Sequence, residues 1–274
     1  MTVLTSLSNP RIKEALKLRE GKHRRRTGKF LIDGVRELDR ARQAGVRILE
    51  VFTVLPYSFP SCGGAGTASH SDTMHSDTIV RQVTEHVMQK IAFGDRNEGI
   101  VAIAEEPVQS WEIFEAKIKQ NRCPLLAVLE GIEKPGNLGA VFRSADAAGV
   151  DGVLIAGSRV DPFHSNAIRS SMGTVFSTPM VSDSSVAVCR WLRDRQFQIA
   201  ATRCSGDAVP YTAVDFCKPT AMVFGSEAEG LSDIWGGKDI MAVTLPMQGI
   251  ADSLNVSVTA GILFYEARRQ REQN

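Results

Sequence analysis

The chain has few cysteines, and they are not placed to form disulfide bonds or a metal site. Its 274 residues contain five of them, an odd number with no C-x-x-C pair. They lie at Cys62, Cys123, Cys189, Cys204 and Cys217. Disulfide frameworks and zinc sites use cysteines at short, regular spacings. The sequence therefore predicts reduced thiols, a cytoplasmic protein and no bound metal.

Long apolar runs are absent as well, so the sequence predicts no membrane span. No apolar run reaches the roughly 18 residues that a spanning helix needs. Asn9-Pro10-Arg11 interrupts the segment in which a signal peptide would be apolar. With 43% hydrophobic residues, the chain can still form a full globular core. We expect one large or two ordinary domains.

The net charge of +1 conceals a basic N-terminal segment. Residues 1–47 contain 13 Lys or Arg and 5 Asp or Glu, so they carry +8 and leave −7 for the rest of the chain. A basic module on a mildly acidic body is typical of a protein that binds a polyanion at one end. An ordinary solvated surface would also fit such a run. The densest part predicts nucleic-acid contacts at Lys22, Arg24, Arg25, Arg26 and Lys29.

Helix and strand patterns alternate in the first hundred residues, which predicts a small α/β module. Helical spacing covers 10–20, 35–44 and 84–91, and apolar strand patterns cover 30–32, 48–55 and 99–104. Residues 61–78 are rich in Ser, Gly, Thr and Asp, so we expect a mobile surface insertion there. His70 and His75 in this insertion have no further ligands at metal-binding spacing.

Buried strands alternate with helices in the rest of the chain, after an amphipathic segment at 111–120. Apolar strand patterns occur at 125–129, 152–155, 198–201, 220–224 and 241–245, and helical patterns at 139–148, 184–195 and 254–271. Continuously apolar strands joined by helices indicate a parallel sheet covered on both faces. We expect an α/β fold with domains at 1–106 and 122–274, joined by a linker at 107–121.

The first candidate motif follows the strand at 125–129 and reads Pro135-Gly136-Asn137-Leu138-Gly139-Ala140-Val141-Phe142-Arg143. Such strand ends are where α/β folds bind ligands and anions. Asn137 and Arg143 lie about 120° out of alignment on a helix, so we expect Asn137 in a loop and a helix that begins near Leu138. The spacing also fits a capping Asn and a surface Arg. A dinucleotide site is disfavoured, because no G-x-G-x-x-G follows a strand.

Two further motifs follow later strands. In Phe224-Gly225-Ser226-Glu227, the acidic residue stands beside a glycine at a strand end, as a functional group or a loop cap. In the stretch from Leu245 to Val258, Pro246 ends a strand and Ser253 or Asn255 caps the final helix. One face of that helix predicts core or dimer surface, with the glycine permitting tight contact: Leu254, Val258, Gly261, Ile262 and Tyr265.

In order and spacing, these three motifs resemble those of the SpoU/TrmH family of RNA ribose 2′-O-methyltransferases, over roughly residues 125–271. The resemblance implies a SPOUT fold, whose parallel sheet is threaded into a deep trefoil knot, and a homodimer formed by helices of the knotted region. It also implies S-adenosylmethionine as cofactor. The N-terminal module resembles the L30e-like substrate-binding domain of many such enzymes, which favours rRNA, above all 23S rRNA, over tRNA.

The resemblance assigns roles to individual residues. It implies that the cofactor is bound by Gly225, Ser226, Leu245, Pro246, Met247 and Leu254. RNA binding falls on the basic residues named above and on Arg169. The polar positions associated with catalysis are Asn137, Arg143, Glu227, Ser253 and Asn255. Two residues depart from the usual pattern, since Ser226 and Lys134 both stand where Asn is frequent.

The implied reaction is in-line transfer of a methyl group from a sulfonium to a ribose 2′-hydroxyl. Arg143 is often suggested as the base in this family, but removing a proton from a guanidinium at pH 7 costs roughly 7–9 kcal/mol. We therefore predict that Arg143 binds the adjacent RNA phosphate and stabilises the developing alkoxide. Glu227 and Asn137 would orient Arg143 or the ribose, while Ser253 and Asn255 would shape the loop.

Several other functions remain open at this stage. A tRNA 2′-O-methyltransferase and a thiostrepton-type resistance rRNA methyltransferase would share the reaction but not the substrate. A non-catalytic RNA-binding assembly factor would keep the fold and lack cofactor binding. A nucleotide-binding oxidoreductase is the remaining class, and the missing glycine fingerprint argues against it.

Overall fold

The structure is a computed structural model, and it describes residues 3–55, 78–94, 98–157, 160–203, 206 and 208–273. Apart from Thr78, the Ser- and Gly-rich insertion lies outside the described residues, and so do Cys62 and Cys204. The chain divides into two compact units. The first comprises Met1–Pro107 with Phe163–Ser165, and the second comprises Val108–Pro162 with Asn166–Asn274.

The described residues form helices and strands in the following order. The helices are α1 (Pro10–Lys17), α2 (Gly21–Thr27), α3 (Val35–Gln43), α4 (Glu85–Ile91), α5 (Trp111–Ile118), α6 (Pro135–Ala148), α7 (Ser165–Ser170), α8 (Ser185–Asp194) and α9 (Val256–Glu272). The strands are β1 (Lys29–Asp33), β2 (Ile48–Thr53), β3 (Ile79–Gln82), β4 (Ile100–Glu105), β5 (Leu125–Glu130), β6 (Gly152–Ala156), β7 (Met180–Asp183), β8 (Gln198–Thr202), β9 (Val209–Pro210), β10 (Thr220–Phe224) and β11 (Ile240–Thr244).

The first unit is built on a four-stranded mixed sheet in the order β1-β4-β2-β3. β4 pairs antiparallel with β1 and β2, while β3 joins β2 in parallel. Residues of α1 and α4, among them Ile12, Ala15, Val87 and Met88, belong to the same buried cluster as Leu31 of β1. This unit is the small α/β module that the sequence predicts. β3 had no clear apolar pattern because its residues are only partly buried at the end of the sheet.

The second unit contains a seven-stranded sheet in the order β7-β6-β5-β10-β8-β11-β9. Every pairing in it is parallel, which confirms the predicted parallel sheet. Alternate residues of a strand face opposite sides of a sheet. In β10, Ala221 and Val223 pack in one cluster with residues of α5 and α8. Phe224 instead contacts Phe264 of α9 edge-on, with 5.7 Å between ring centroids, so helices cover both faces.

The segment expected to link the domains, residues 107–121, contains helix α5. Ser110 caps this helix by accepting from the Ile113 backbone N–H at 3.3 Å. Phe114 and Ile118 are buried in the core cluster of the second unit. Trp111 stacks on Trp191 of α8, with 4.9 Å between ring centroids. α5 is thus an integral helix of the second unit.

Helix α6 begins earlier than predicted, and the prediction that Asn137 lies in a loop is wrong. The helix starts at Pro135, so Asn137 is its third residue. Proline favours the first helical position, because its fixed φ suits the helix and that position needs no N–H donor. The first glycine-rich motif therefore forms a helical turn.

The face of α9 that was predicted as core or dimer surface is only partly in the core of the chain. The buried residues of α9 are Val256, Ala260, Leu263, Phe264 and Ala267. Val258 and Tyr265 of the predicted stripe are about half exposed instead, at 49% and 52%. A Cβ at Gly261 would meet only Ser144 Oγ, at an ordinary 3.8 Å, so close packing within the chain does not require this glycine.

None of the helices in the described part of the chain is both long and apolar enough to cross a membrane.

Candidate active site

Loops at the carboxyl ends of β5, β10 and β11 form the candidate active site. β5 and β10 are neighbours in the sheet. From β5 the chain continues to β6 on one side, whereas β8 and β11 lie on the other side of β10. In open parallel sheets, such a reversal of strand order opens a crevice outside the strand ends, where ligands bind. The three sequence motifs follow these strands.

A pocket of about 500 Å³ lies beside these strand ends. This volume is within the range of roughly 300–1,000 Å³ that is typical of small-molecule sites. The apolar part of the lining comprises Phe224, Leu231, Val243, Leu245, Met247, Leu254 and Val256. The charged lining residues are Arg203, Glu227 and Asp252. The pocket therefore combines an apolar wall with groups of both signs.

Most of the residues predicted to bind cofactor line this pocket. They are Gly225, Ser226, Leu245, Met247 and Leu254, while Pro246 is not among the lining residues. Of the predicted catalytic residues, Glu227 and Ser253 also line it. Asn137, Arg143 and Asn255 do not contribute to the lining.

Glu227 is the centre of a hydrogen-bond network that joins all three motifs. Its Oε1 accepts from Asn137 Nδ2 at 2.9 Å and from Asn255 Nδ2 at 2.8 Å. Its Oε2 accepts from Lys134 Nζ at 2.8 Å. Asn255 also caps α9, because its Oδ1 accepts from the Ser257 backbone N–H at 3.0 Å. The structure thus brings together three of the five predicted catalytic residues and adds Lys134.

The network favours the charged forms of its ionisable members. The hydrogen bond from Lys134 is the main cause that lowers the pKa of Glu227, and the hydrogen bond from Asn137 adds to it. The same bond to Glu227 raises the pKa of Lys134. A carboxylate with three donors in place has little capacity left to take up a proton. Glu227 is therefore an anion that orients its neighbours.

Gly225 is required by the loop itself. A Cβ at this position would stand 2.3 Å from the carbonyl carbon of Gly230. Ser226 and Gly230 exchange two backbone hydrogen bonds of 3.1 Å, and Ser226 Oγ accepts from the Glu229 backbone N–H at 3.0 Å. This narrow turn carries Glu227. The absence of a side chain at Gly225, which the resemblance links to the cofactor, is thus required by the chain's own backbone.

The glycines of the first motif also face protein atoms. A Cβ at Gly139 would stand 2.1 Å from Ser170 Oγ and 2.2 Å from the Ala167 carbonyl oxygen, so α6 packs closely on α7. Gly136 similarly faces Asn166, whose Nδ2 would lie 3.1 Å from an added Cβ. Arg169, predicted to bind RNA, lies in the last turn of α7, the helix against which α6 packs.

Arg143 lies apart from the network. It is exposed on α6, six residues or about 9 Å along the axis from Asn137. It forms no ion pair with another residue of the described chain. Its guanidinium therefore faces solvent in the single chain, as an RNA-phosphate contact would require.

Two charged residues near the pocket were missed by sequence reasoning. Glu130, the last residue of β5, is buried and accepts from the Ser232 backbone N–H and Oγ, both at 2.8 Å. Burial alone would raise the pKa of Glu130, but hydrogen bonds from Ser185 and Ser232 hold this pKa below its usual value. Arg203 directly follows β8. The signal that singled out Glu227, a charge at the end of an apolar strand, also marks these two residues.

In the first unit, the basic segment lies mainly on α2. α1 ends at Lys17, whereas the sequence predicted that this helix continues to Glu20. α2 begins at Gly21. Arg24 is buried and donates to the carbonyl oxygens of Leu18 at 3.0 Å and Arg19 at 2.9 Å. These bonds assign it a structural role and correct its prediction as a nucleic-acid contact.

The other basic residues of this segment lie nearer the surface. Lys22, Arg25 and Arg26 are exposed and Lys29 is half-buried. Arg26 also donates to Nδ1 of the buried His23, whose Nε2 donates to Glu14. The hydrogen bond from His23 is the main cause that lowers the pKa of Glu14. RNA binding by these cations stays a prediction, with which their position near the surface is compatible.

No cluster of three or more His, Cys, Asp or Glu side chains suited to a metal ion occurs among the described residues.

Comparison with known families gives two matches along the chain. The model of the SpoU rRNA Methylase family matches residues 124–265. The model of the MRM3-like substrate binding domain matches residues 9–102. The first match covers all three motifs together with β5 to β11, and the second covers most of the basic segment and most of the sheet of the first unit.

Comparison with individual proteins agrees. The chain is 30% identical, over 90% of its length and 85% of the relative, to a 23S rRNA (uridine(2479)-2′-O)-methyltransferase of Streptomyces viridochromogenes. It resembles a crystal structure of an RNA 2′-O ribose methyltransferase with 38% identity and a TM-score of 0.79, covering 99% of this chain and 100% of that one. It also resembles an AdoMet-bound rRNA methyltransferase from Sinorhizobium meliloti, with 28% identity, a TM-score of 0.83 and coverage of 98% and 97%.

Proposed function

Since the chain belongs to the SpoU rRNA methylase family, we propose that it methylates a ribose 2′-hydroxyl of 23S rRNA with S-adenosylmethionine as donor. The observation that carries this proposal is that the pocket and the hydrogen-bond network are adjacent. Glu227 lines the pocket and is also the centre of the network. A donor in the pocket would thus lie beside polar groups that can position a hydroxyl.

The pocket suits S-adenosylmethionine in size and chemistry. Its apolar wall offers a surface for the adenine ring, and Leu245, Met247 and Leu254 contribute to it. Glu227 and Asp252 supply negative charge for the sulfonium and ammonium groups. When bound, the cofactor supplies an electrophilic methyl group. The residues of the chain have to hold the ribose in line with that methyl group and exclude water.

We assign Glu227 a positioning role. Its carboxylate already accepts from Lys134, Asn137 and Asn255, so it fixes both amides. The two Asn side chains would present their remaining polar atoms toward the ribose. Ser253, at the pocket and two residues before Asn255, would shape the same wall. Pro246, next to two lining residues, would fix the backbone course of the loop.

Arg143 is assigned to the RNA phosphate next to the target ribose and to the charge that develops on the 2′-oxygen. Arginine suits this task because its planar guanidinium binds phosphate with two parallel hydrogen bonds. Exposure of Arg143 in the single chain leaves it accessible to RNA. Arg169, on the helix that packs against α6, would contact the same strand of RNA.

Residues 1–106 are proposed as an RNA-binding domain and residues 122–274 as the methyltransferase domain. Support for the first comes from the charge of +8 in residues 1–47 and from the match to a substrate-binding domain. Lys22, Arg25, Arg26 and Lys29 would contact phosphates, which supplies affinity without sequence specificity. A cytoplasmic location belongs to the same proposal, because the widely spaced cysteines suit a reducing compartment.

We further propose a homodimer formed through α9 and the deep trefoil knot of the SPOUT fold. Val258 and Tyr265 are exposed on α9, and Ile250 and Leu254 are exposed in the loop that precedes it. Apolar side chains exposed together on one element are typical of an interface. Light scattering tests the dimer directly, and Tyr265→Glu should shift the mass toward the monomer.

Transfer of tritiated methyl groups from S-adenosylmethionine to purified rRNA tests the function. Label should appear in 23S rRNA, and nuclease digestion should release it as one 2′-O-methylated nucleoside. Label in tRNA alone would favour the tRNA enzyme. Cofactor binding without transfer to either RNA would contradict the proposal, and RNA binding without cofactor binding would indicate an assembly factor.

A further inference from the structure

Arg203 is the only cation among the residues that line the pocket in the described part of the chain. It directly follows β8, and its backbone N–H donates to the Val243 carbonyl oxygen at 2.9 Å, which fixes it beside β11. The side chain is anchored as well, because Nη2 donates to the Ser232 carbonyl oxygen at 3.1 Å. Both the backbone and the side chain of this pocket-lining residue are thus held in place.

The Nε–H of Arg203 is buried and has no partner among the described residues. A guanidinium carries five N–H donors, and the bond to Ser232 uses one of them. Buried donors in native proteins nearly always have an acceptor, since an unpaired one loses the hydrogen bonds that water would provide. Arg203 as a whole is only half-buried, and it supplies the positive charge of the described pocket lining, so an anionic group of a ligand would pair with it there.

The other charged lining residues show which anion fits. Glu227 and Asp252 are both acidic, so the pocket pairs one cation with two carboxylates. S-adenosylmethionine has the complementary set, with one carboxylate and two cationic groups, the sulfonium and the ammonium. We infer that Arg203 binds the carboxylate of the methionine part of the cofactor. This inference rests on the proposed function and extends it to the residue that orients the methionine end.

The test compares two ligands that differ only in that carboxylate, S-adenosylmethionine and its decarboxylated form. Dissociation constants are measured by calorimetry for the full chain and for Arg203→Gln. A charge-assisted hydrogen bond should make the wild-type protein bind S-adenosylmethionine about 10- to 100-fold more tightly than the decarboxylated form. In Arg203→Gln this preference should fall to about twofold or less, whereas Arg203→Lys should retain part of it.

Arg122→Gln is the matched control, because Arg122 is exposed and lies outside the pocket lining. It should keep the full preference. A purely structural role of Arg203 would weaken both ligands equally and leave their ratio unchanged, which would overturn the inference. An unchanged ratio with a higher KM for RNA would do so too, and would indicate a phosphate contact. Failure of the wild-type protein to bind either ligand would instead contradict the proposed function itself.

Discussion

Asn255 Nδ2 donates to Glu227 Oε1 at 2.8 Å, which joins the cap of α9 to the turn after β10. The same oxygen accepts from Asn137 on α6, so one carboxylate oxygen connects three segments that are far apart in sequence. Because Glu227 also lines the pocket, a change at this position acts on both the cofactor wall and the groups proposed to hold the ribose.

Glu227→Gln should therefore lower kcat by about 10- to 100-fold, because an amide has only one acceptor oxygen and would set its NH2 group against the donors that face the other oxygen. The control is Glu229→Gln, two residues away and exposed in the same turn, which should keep the wild-type rate. Single-turnover methyl transfer to rRNA measures both. A wild-type rate in Glu227→Gln would contradict the role of the network.

The acid limb of the pH–rate profile should depend on Lys134. Its hydrogen bond is the main cause that lowers the pKa of Glu227, so the ionised network is present above the usual carboxylate range and is lost only as pH falls through the lowered value. Lys134→Gln removes this cause and should move the acid limb to higher pH. Lys119→Gln, on an exposed lysine after α5, should leave the profile unchanged.

Between about pH 6 and 9, the Lys134–Glu227 pair should add no pH dependence of its own. The pKa of Glu227 is lowered and that of Lys134 is raised, so both groups remain charged throughout this window. Any step in the rate within that range should persist in Lys134→Gln. Loss of such a step in this variant would assign the titration to the pair and contradict the expectation.

Arg143→Ala should keep cofactor affinity and lose at least about a hundredfold in rate, since removal of a group that stabilises developing charge costs roughly 10²–10³. Calorimetry with S-adenosylmethionine and single-turnover kinetics separate the two effects. Arg190→Ala, on an exposed residue of α8, provides the control. Near-normal turnover of Arg143→Ala would refute its assignment.

The neighbours Arg24 and Arg25 should respond in opposite ways to substitution. Arg24→Ala removes two hydrogen bonds from a buried side chain to backbone carbonyls and should destabilise the protein by about 1.5–3 kcal/mol, seen as a lower Tm. Arg25 is exposed, so Arg25→Ala should leave Tm unchanged. It should make the slope of the logarithm of the RNA-binding constant against the logarithm of salt concentration shallower by about one. The reverse pattern would contradict both assignments.

The parallel sheet of the second unit could be predicted from the sequence because its central strands are apolar throughout. β5, β6, β8 and β10 were each found to within a residue or two. β7 and β9 were missed because they lie at the two edges of the sheet, where partial exposure gives no continuous apolar pattern. α7 is only six residues long, too short for helical periodicity to show.

The candidate site was predictable in its residue types but not in its contacts. Glu227 and Asn255 were identified by their positions after a strand and before a helix. Their shared hydrogen bond depends on the order of strands in the sheet, which no local pattern encodes. The burial of Arg24 has the same origin, because a basic run looks alike whether its members face water or cap a neighbouring helix.

The central claim is tested most directly by nucleoside mass spectrometry of rRNA and tRNA from cells with and without this gene. The account predicts that one 2′-O-methylated nucleoside disappears from 23S rRNA in the absence of the gene and returns with the wild-type gene but not with Arg143→Ala. An unchanged set of 2′-O-methylated nucleosides in 23S rRNA would contradict it.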